Sequence, residues 1–373
     1  MIREVTVFTN GDSSKLNTWS NVPYFFTETF MKKGIKVNRI DIFPSTAIEK
    51  VFNMFLAKYV RKKYPNTTYD YFRSRLHFFL VSSQVLFSMF KYRKSDKFIF
   101  LTFSFSTLRY RKSDVIQFGD WTYDYYFKYF LERDPDMFEY SAVQRELRQM
   151  QNVSVVVPLF KTVHEYMISS LSMRNVKYLS NVINNNYGEI DESEIIQRKI
   201  ASNKILFVGS VKYIDGAIKL LDAFIKIQVK YPDLELHIIG MSNEDLGIKL
   251  ENVFCYGYLS KDNILQNEMY YSLFLDSMLY VNPTPKWSAF SATIEAMYYC
   301  IPVVVERYPE FIALFGERND SIFYSSSDAP HSLHTLMLKF LERRKDAYLY
   351  QNARNTVQHH TWGNFIDNLL LSI

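Results

Sequence analysis

The chain is poor in the features that mark several common protein classes. Its 373 residues include two cysteines, Cys255 and Cys300. That is too few for a disulfide framework or a Cys-rich metal site, and it suits a reducing compartment. No apolar run reaches the roughly 18–20 residues a membrane span needs. The nearest approach, LHFFLVSSQVLFSMF at 76–90, is broken by Ser82, Ser83 and Gln84. The start, MIREVTVFTN, lacks the apolar core of a secretory leader. GxGxxG, P-loop, CxxC, HExxH and GxSxG patterns are all absent. His359 and His360 adjoin near the end, but neighbouring helical residues point to different faces, so a shared metal is not expected. A cytoplasmic protein without a metal centre is the expectation.

What is present is enough chain for two full cores. Hydrophobic residues make up 48% and charged residues 22%, a globular rather than a disordered balance. The net charge of +5 is unevenly spread. Residues 1–190 carry 27 Lys and Arg against 17 Asp and Glu, and within 31–112 the ratio is 18 to 4. One half is built to meet something negative.

Apolar periodicity predicts alternating strands and helices. Val5 to Thr9 reads as a buried strand, Val22 to Lys33 as a helix stopped at Gly34, and Ile35 to Phe43 as a second strand. Such a unit implies a parallel pair with a right-handed crossover. Further strands are predicted at 97–105, 114–119 and 153–160. The polar stretch 184–203 reads as a linker. A second series follows: strands at 204–210, 234–240, 252–258, 278–283 and 302–306, with helices at 215–233, near 262–274 and after Ser288. Two doubly wound α/β halves would place a ligand between the carboxyl ends of their strands.

The segment NPTPKWSAFSATIEAMYYCIPVVV (282–305) sets its smallest side chains at the entry to a helix. Small residues there let an anion reach first-turn N–H groups at the positive end of the helix dipole. Close packing and simple N-capping by Ser288, Ser291 or Thr293 would leave a similar pattern.

From ILFVGS to TIEAMYYCIPVVV the chain resembles the carboxy-terminal domain of retaining GT-B glycosyltransferases, especially glycosyltransferase family 4. FVGS, DG…LLDAF, YPDLELHIIG, NVFCYGYLS, YVNPT and IEAMYYCIPVVV occur in the family's order over about 100 residues. The resemblance implies a GT-B fold: an acceptor domain over 1–190, a nucleotide-sugar domain over 191–355, and a last helix over 356–373 returning to the first. It implies transfer of a hexosyl-type sugar from a nucleotide-diphosphate donor to a hydroxyl of a glycan or lipid-linked glycan, in polysaccharide or glycoconjugate synthesis. Retention and independence of metals and cofactors are implied as well.

Carried over by position, Phe290, Ser291 and Ala292 hold the diphosphate, Glu295 accepts from the ribose hydroxyls, and Gly209, Ser210 and Trp287 complete the donor site. The chain departs from the family at three places. Trp287 stands where a second Glu is usual, Ser210 where Arg is usual, and Asp215 where Lys is usual. Lys212 and Lys286 are the nearest cations to offset a departing diphosphate. In QFGDW the family's His slot is Gly119, leaving Asp120 as the polar group at the reaction centre, beside Trp121. Gly11, Asp12 and Ser13 form the first strand's loop, an acceptor or cleft position.

The same departures leave open a catalytically silent GT-B module that binds a glycan or a partner enzyme. The basic, aromatic-rich region 31–112 suits an anionic membrane surface. It also has the composition of a single-strand nucleic-acid binder or a solvated basic face, though no nucleic-acid fold signature is present. The resemblance favours the membrane, on its inner face, and no nucleic-acid partner is expected.

Overall fold

The computed structural model describes residues 2–107, 114–185, 187–188, 190–247, 250–284, 289–326 and 332–373. The chain divides into two compact units: Met1–Asn181 with Trp362–Ile373, and Val182–Thr361.

The first unit is built on five parallel strands in the order β2-β1-β3-β4-β5. They are β1 (Glu4–Asn10), β2 (Lys36–Ile42), β3 (Lys97–Phe100), β4 (Val115–Gly119) and β5 (Val155–Pro158). Val5, Val7, Phe98, Ile99, Ile116 and Val156 are buried without alternation, as in a sheet covered on both faces. Helix α1 (Val22–Lys32) stops at Lys33 and Gly34, the latter at φ +76°. The last helix, Trp362–Ser372, packs on α1, with Trp362 and Phe365 meeting Phe26 and Phe118.

Strand β3 ends at Phe100 rather than running to residue 105. Leu101 N–H still donates to the Phe8 carbonyl of β1 at 2.9 Å, but side chains take over along the buried backbone that follows. Gln117 Nε2 donates to the carbonyls of Thr102, Phe103 and Phe105, each at 3.3 Å, and Gln149 accepts from Ser106 N–H.

Six parallel strands in the order β11-β10-β9-β6-β7-β8 make the second unit's sheet. They are β6 (Lys204–Val208), β7 (Glu235–Ile239), β8 (Val253–Cys255), β9 (Leu279–Asn282), β10 (Val303–Glu306) and β11 (Ile322–Ser325). The polar stretch 184–203 is not wholly a linker. Residues Glu192–Ile200 form a helix capped by Asp191, with Ile195 and Ile196 buried against the unit. Lys199 on it is also fully buried and donates to the carbonyls of Phe274, Leu275 and Ser277, closing the end of the helix Ile264–Asp276. Burial pushes its ammonium down to about 7.

Where β6 and β7 end, two glycines let the backbones touch. A Cβ at Gly240, whose φ is +99°, would lie 2.5 Å from the carbonyl oxygen of Gly209. Gly240→Ala is therefore expected to cost about 2–4 kcal/mol in urea unfolding, from clash and left-handed strain together. Gly34→Ala, with nothing within 4 Å of its Cβ, should cost only about 1 kcal/mol. Equal losses at the two positions would refute the close-approach account.

Candidate functional site

At the carboxyl ends of β6, β9 and β10 the second unit gathers most of the residues singled out for the donor. Gly209 follows β6, and its N–H donates to the Ile239 carbonyl at 2.9 Å. Ser210 and Lys212 come next, both exposed, in a short 3-10 turn. β9 lies beside β6, and Asn282 Nδ2 reaches the Val208 carbonyl at 3.3 Å. After β9, Thr284 packs on Gly216, so closely that a Cβ there would fall 2.2 Å from the Thr284 hydroxyl. Residues Lys286 and Trp287, together with Ser288, lie outside the described residues.

The helix Ala289–Tyr298 then starts at the same edge. Ser291 and Ala292, in its first turn, are partly exposed, and first-turn amides have no acceptor within a helix. Phe290 points the other way. Its ring is buried against Phe311 and Phe315, so any contribution to a ligand comes from its backbone.

Two hydroxyls at this edge, Thr284 Oγ1 and Tyr308 Oη, are buried and have no hydrogen-bond partner among the described residues. Tyr308 stands just beyond β10, and its hydroxyl is pushed well above the usual phenol range, first by burial and then by nearby Glu310. Both therefore remain donors in want of an acceptor, a costly state for a buried group unless something oxygen-rich completes it.

One turn along the helix, Glu295 is 4% exposed and fully engaged. Lys261 Nζ donates to its Oε1 at 2.8 Å, and the Tyr270 hydroxyl donates to its Oε2 at 2.9 Å. Lys261 also donates to the Asn184 carbonyl at 3.2 Å and lies over the Tyr270 ring, 4.4 Å from its centroid. Burial, reinforced by the carboxylate alongside, holds the Tyr270 hydroxyl well above the usual phenol range, so it stays a donor. A diol approaching Glu295 would use its remaining lone pairs or displace one of these partners. Neither Lys261 nor Tyr270 carried a signal in the sequence. Lys261 falls between the strand read at 252–258 and the helix read near 262–274, Tyr270 falls within that helix, and only the fold brings them to the acid.

In the first unit, Gly11, Asp12 and Ser13 follow β1. Gly11 takes φ +90°. Ser13 is buried, and its N–H and hydroxyl both donate to Asp41 Oδ1, at 3.1 and 2.6 Å. That ties the loop to the end of β2 and leaves Ser13 no free donor. Asp12 accepts from Ser14, chiefly its hydroxyl, which holds the carboxyl below its usual range.

Asp120 follows β4 and is partly buried. Desolvation pushes its carboxyl up to about 6, against the Trp121 N–H at 2.8 Å and the Trp19 side chain, which both favour the ionised form. Trp19 itself, with Ser20 and Asn21, holds three successive left-handed conformations, a costly backbone for residues other than glycine. Trp121 stacks on Phe160 at 5.9 Å. Behind them Glu146 is buried, accepting from Tyr123 N–H at 2.6 Å. Burial, opposed by that N–H and assisted by the charge of Asp120, pushes Glu146 up to about 8. Two carboxyls near one another therefore ionise at separate pH values, a pattern common at reaction centres.

Among the described residues no group of three or more His, Cys, Asp and Glu could hold a metal ion.

Residues 190–356 match the family described as glycosyl transferases group 1. No curated protein matches the chain. Among solved structures, HepE of Anabaena in complex with UDP and glucose is 13% identical, with 100% of each chain covered and a TM-score of 0.62. Sucrose-phosphate synthase of Thermosynechococcus elongatus is 12% identical over 99% of this chain and 98% of its own, with a TM-score of 0.66. WaaG, a glycosyltransferase involved in lipopolysaccharide biosynthesis, is 13% identical over 100% and 98%, with a TM-score of 0.63. At such identities the structures speak for the fold. The chain thus has the two-domain GT-B fold, and its segment 190–356 matches the model of the family glycosyl transferases group 1.

Proposed function

We propose that the chain is a glycosyltransferase of the hexosyl-transferring kind, moving a sugar from a nucleoside-diphosphate donor to a hydroxyl of a glycan or lipid-linked glycan. The observation that carries this reading is the meeting, at one sheet edge, of a first helical turn with small residues and two buried hydroxyls that lack acceptors among the described residues. Diphosphate and sugar oxygens would supply those acceptors. Ser291 and Ala292, with the Phe290 backbone, would hold the diphosphate, and Gly209 and Ser210 would line it. Lys212 and Lys286 would offset its charge without a metal, with Trp287 as a wall. Glu295 would meet the ribose. Asp120 would serve the reaction centre, with Trp121, Gly11 and Asp12 toward the acceptor. Transfer with retention, within polysaccharide or glycoconjugate synthesis, follows from the family resemblance. The basic region 31–112 would hold the enzyme at the inner face of an anionic membrane.

A second reading, a catalytically silent module that binds a glycan or a partner enzyme, draws on the closed state of Glu295, both of whose oxygens already have donors in the fold. Thermal unfolding with UDP, GDP, CDP and dTDP separates the two. One nucleotide present at about 100 times its Kd should stabilise the second unit by about 2.7 kcal/mol, a rise of several degrees. If none of the four moves the midpoint and no donor sugar is hydrolysed or transferred, the enzyme reading fails.

A further inference from the structure

The helix Arg75–Lys91 is apolar on both sides. Val81, Val85 and Met89 are buried against the first unit. The opposite face carries Leu76, Phe79, Leu86, Phe87 and Phe90 into solvent, with the three phenylalanines 67%, 72% and 71% exposed. A helix apolar all round is ordinarily enclosed by protein or by lipid. Here the enclosure is missing on one side.

A second stretch repeats the arrangement. From Thr46 to Lys63 the chain is helical throughout, passing through a wider turn at Asn53–Ala57. It buries Phe52, Ala57 and Val60 while exposing Val51, Met54, Phe55, Leu56 and Tyr59. The two stretches are neighbours, since Phe52, Ala57 and Tyr71 form one small core onto which Leu80 packs, and Tyr71 N–H donates to Asn53. Together they present an apolar surface far beyond the scattered residues normal on a monomer.

The charge around this surface selects its occupant. Lys50, Lys58, Arg61, Lys62, Lys63, Arg75, Lys91, Arg93 and Lys94 are exposed at its ends and flanks, and no acid occurs from Tyr71 to Ser95. Basic side chains also lie over aromatic rings, Arg93 over Phe90 at 5.6 Å and Lys63 over Tyr64 at 5.5 Å. (Arg109, Arg111 and Lys112 lie outside the described residues.) A protein partner or a second copy would need a large matching acidic rim. A leaflet of anionic lipid offers both things at once, acyl chains for the rings and phosphates for the cations. No helix among the described residues is long and apolar enough to cross a membrane, so the fit is to lie in the surface.

The geometry points to shallow insertion: we propose that the outer face of Arg75–Lys91, with the exposed residues of Thr46–Lys63, enters the headgroup–acyl boundary of an anionic leaflet. This deepens the membrane part of the reading above and rests on that part alone, independently of glycosyl transfer.

Co-sedimentation of the full chain with vesicles of phosphatidylcholine, with and without phosphatidylglycerol, tests it. Binding should require the anionic lipid and persist in part at about 0.5 M salt, where surface charge alone is screened. The triple variant Phe79→Ser, Phe87→Ser, Phe90→Ser should lose at least about tenfold in partitioning while keeping the wild-type melting point and nucleotide response. If salt abolishes binding and the triple variant binds as wild type does, the contact is electrostatic and insertion is refuted, although the membrane reading survives. Absence of binding to either vesicle refutes both. So does self-association in solution that the triple variant abolishes, because the face would then be an interface between copies.

Discussion

Lys261→Met should destabilise the second unit by about 3–5 kcal/mol, the cost of stranding a buried carboxylate whose partner has been removed. Glu295 is enclosed and its Oε1 has Lys261 at 2.8 Å; without the ammonium, the Tyr270 hydroxyl alone faces the charge. Glu295→Ala should cost a similar amount for the mirrored reason, since Lys261 would keep only the Asn184 carbonyl. The double variant Lys261→Met, Glu295→Gln should recover most of the loss, because a buried ion pair contributes little over a neutral pair of similar shape. Urea unfolding of the four proteins measures the two losses and the recovery. Function divides along another line. If Glu295 meets the ribose, the double variant, though folded, should bind its nucleotide at least about tenfold more weakly by calorimetry. Wild-type affinity in the double variant would make the Lys261–Glu295 pair purely architectural and remove the ribose role.

That pair also shows what the sequence could and could not disclose. The strand–helix alternation was legible because buried parallel strands are short apolar runs and the helices between them carry a 3.6-residue period. β1, α1 and β2 fall within a residue or two of expectation. Elements failed to be legible where tertiary contact outweighs local pattern. The 101–105 run is as apolar as a strand, yet Gln117, on a neighbouring strand, supplies its hydrogen bonds and ends it at Phe100. Glu192–Ile200 looked too polar for structure because its buried face is narrow, with Ile195 and Ile196 on it and Lys199 turned inward to cap another helix.

For the donor site, small residues before Glu295 were visible as a pattern tied to a known backbone requirement. Its partners were not. Lys261 stands 34 positions away and Tyr270 25, and neither spacing follows from any secondary-structure period. The orphaned hydroxyls of Thr284 and Tyr308 were equally invisible, since a missing partner is a property of packing. In the outer helices the reverse holds. The uncharged 76–90 run was evident from composition, but only exposure of Phe79, Phe87 and Phe90 shows that its apolarity exceeds what the core uses.

Asp120→Asn should lower turnover by about 10²–10³-fold, the usual contribution of a positioned acid or base, without loss of stability. Its carboxyl is pushed up to about 6 from an ordinary 3.8. The native state therefore holds a proton that the unfolded chain releases, and stability falls as pH rises from about 4 through about 6. Asparagine keeps an oxygen for the Trp121 N–H and carries no charge. Above pH 6 the variant should equal or exceed wild type by about 1–2 kcal/mol, a figure reduced for the partial exposure of the site. A plain capping residue would behave oppositely, losing stability and sparing turnover. The pH profile gives a second reading: kcat/KM of wild type should fall below pH 6 as Asp120 takes up its proton, and the variant should lack that limb. Glu146 ionises only near 8, so it is neutral while Asp120 titrates. Glu146→Gln should thus leave the acid limb in place. Wild-type stability attached to Glu146 is present below about 4.5 and lost as pH rises through about 8, and the Gln variant should keep it. An acid limb that persists in Asp120→Asn and vanishes in Glu146→Gln would transfer the role to the deeper carboxyl. Full turnover in both variants would remove this corner of the first unit from the chemistry.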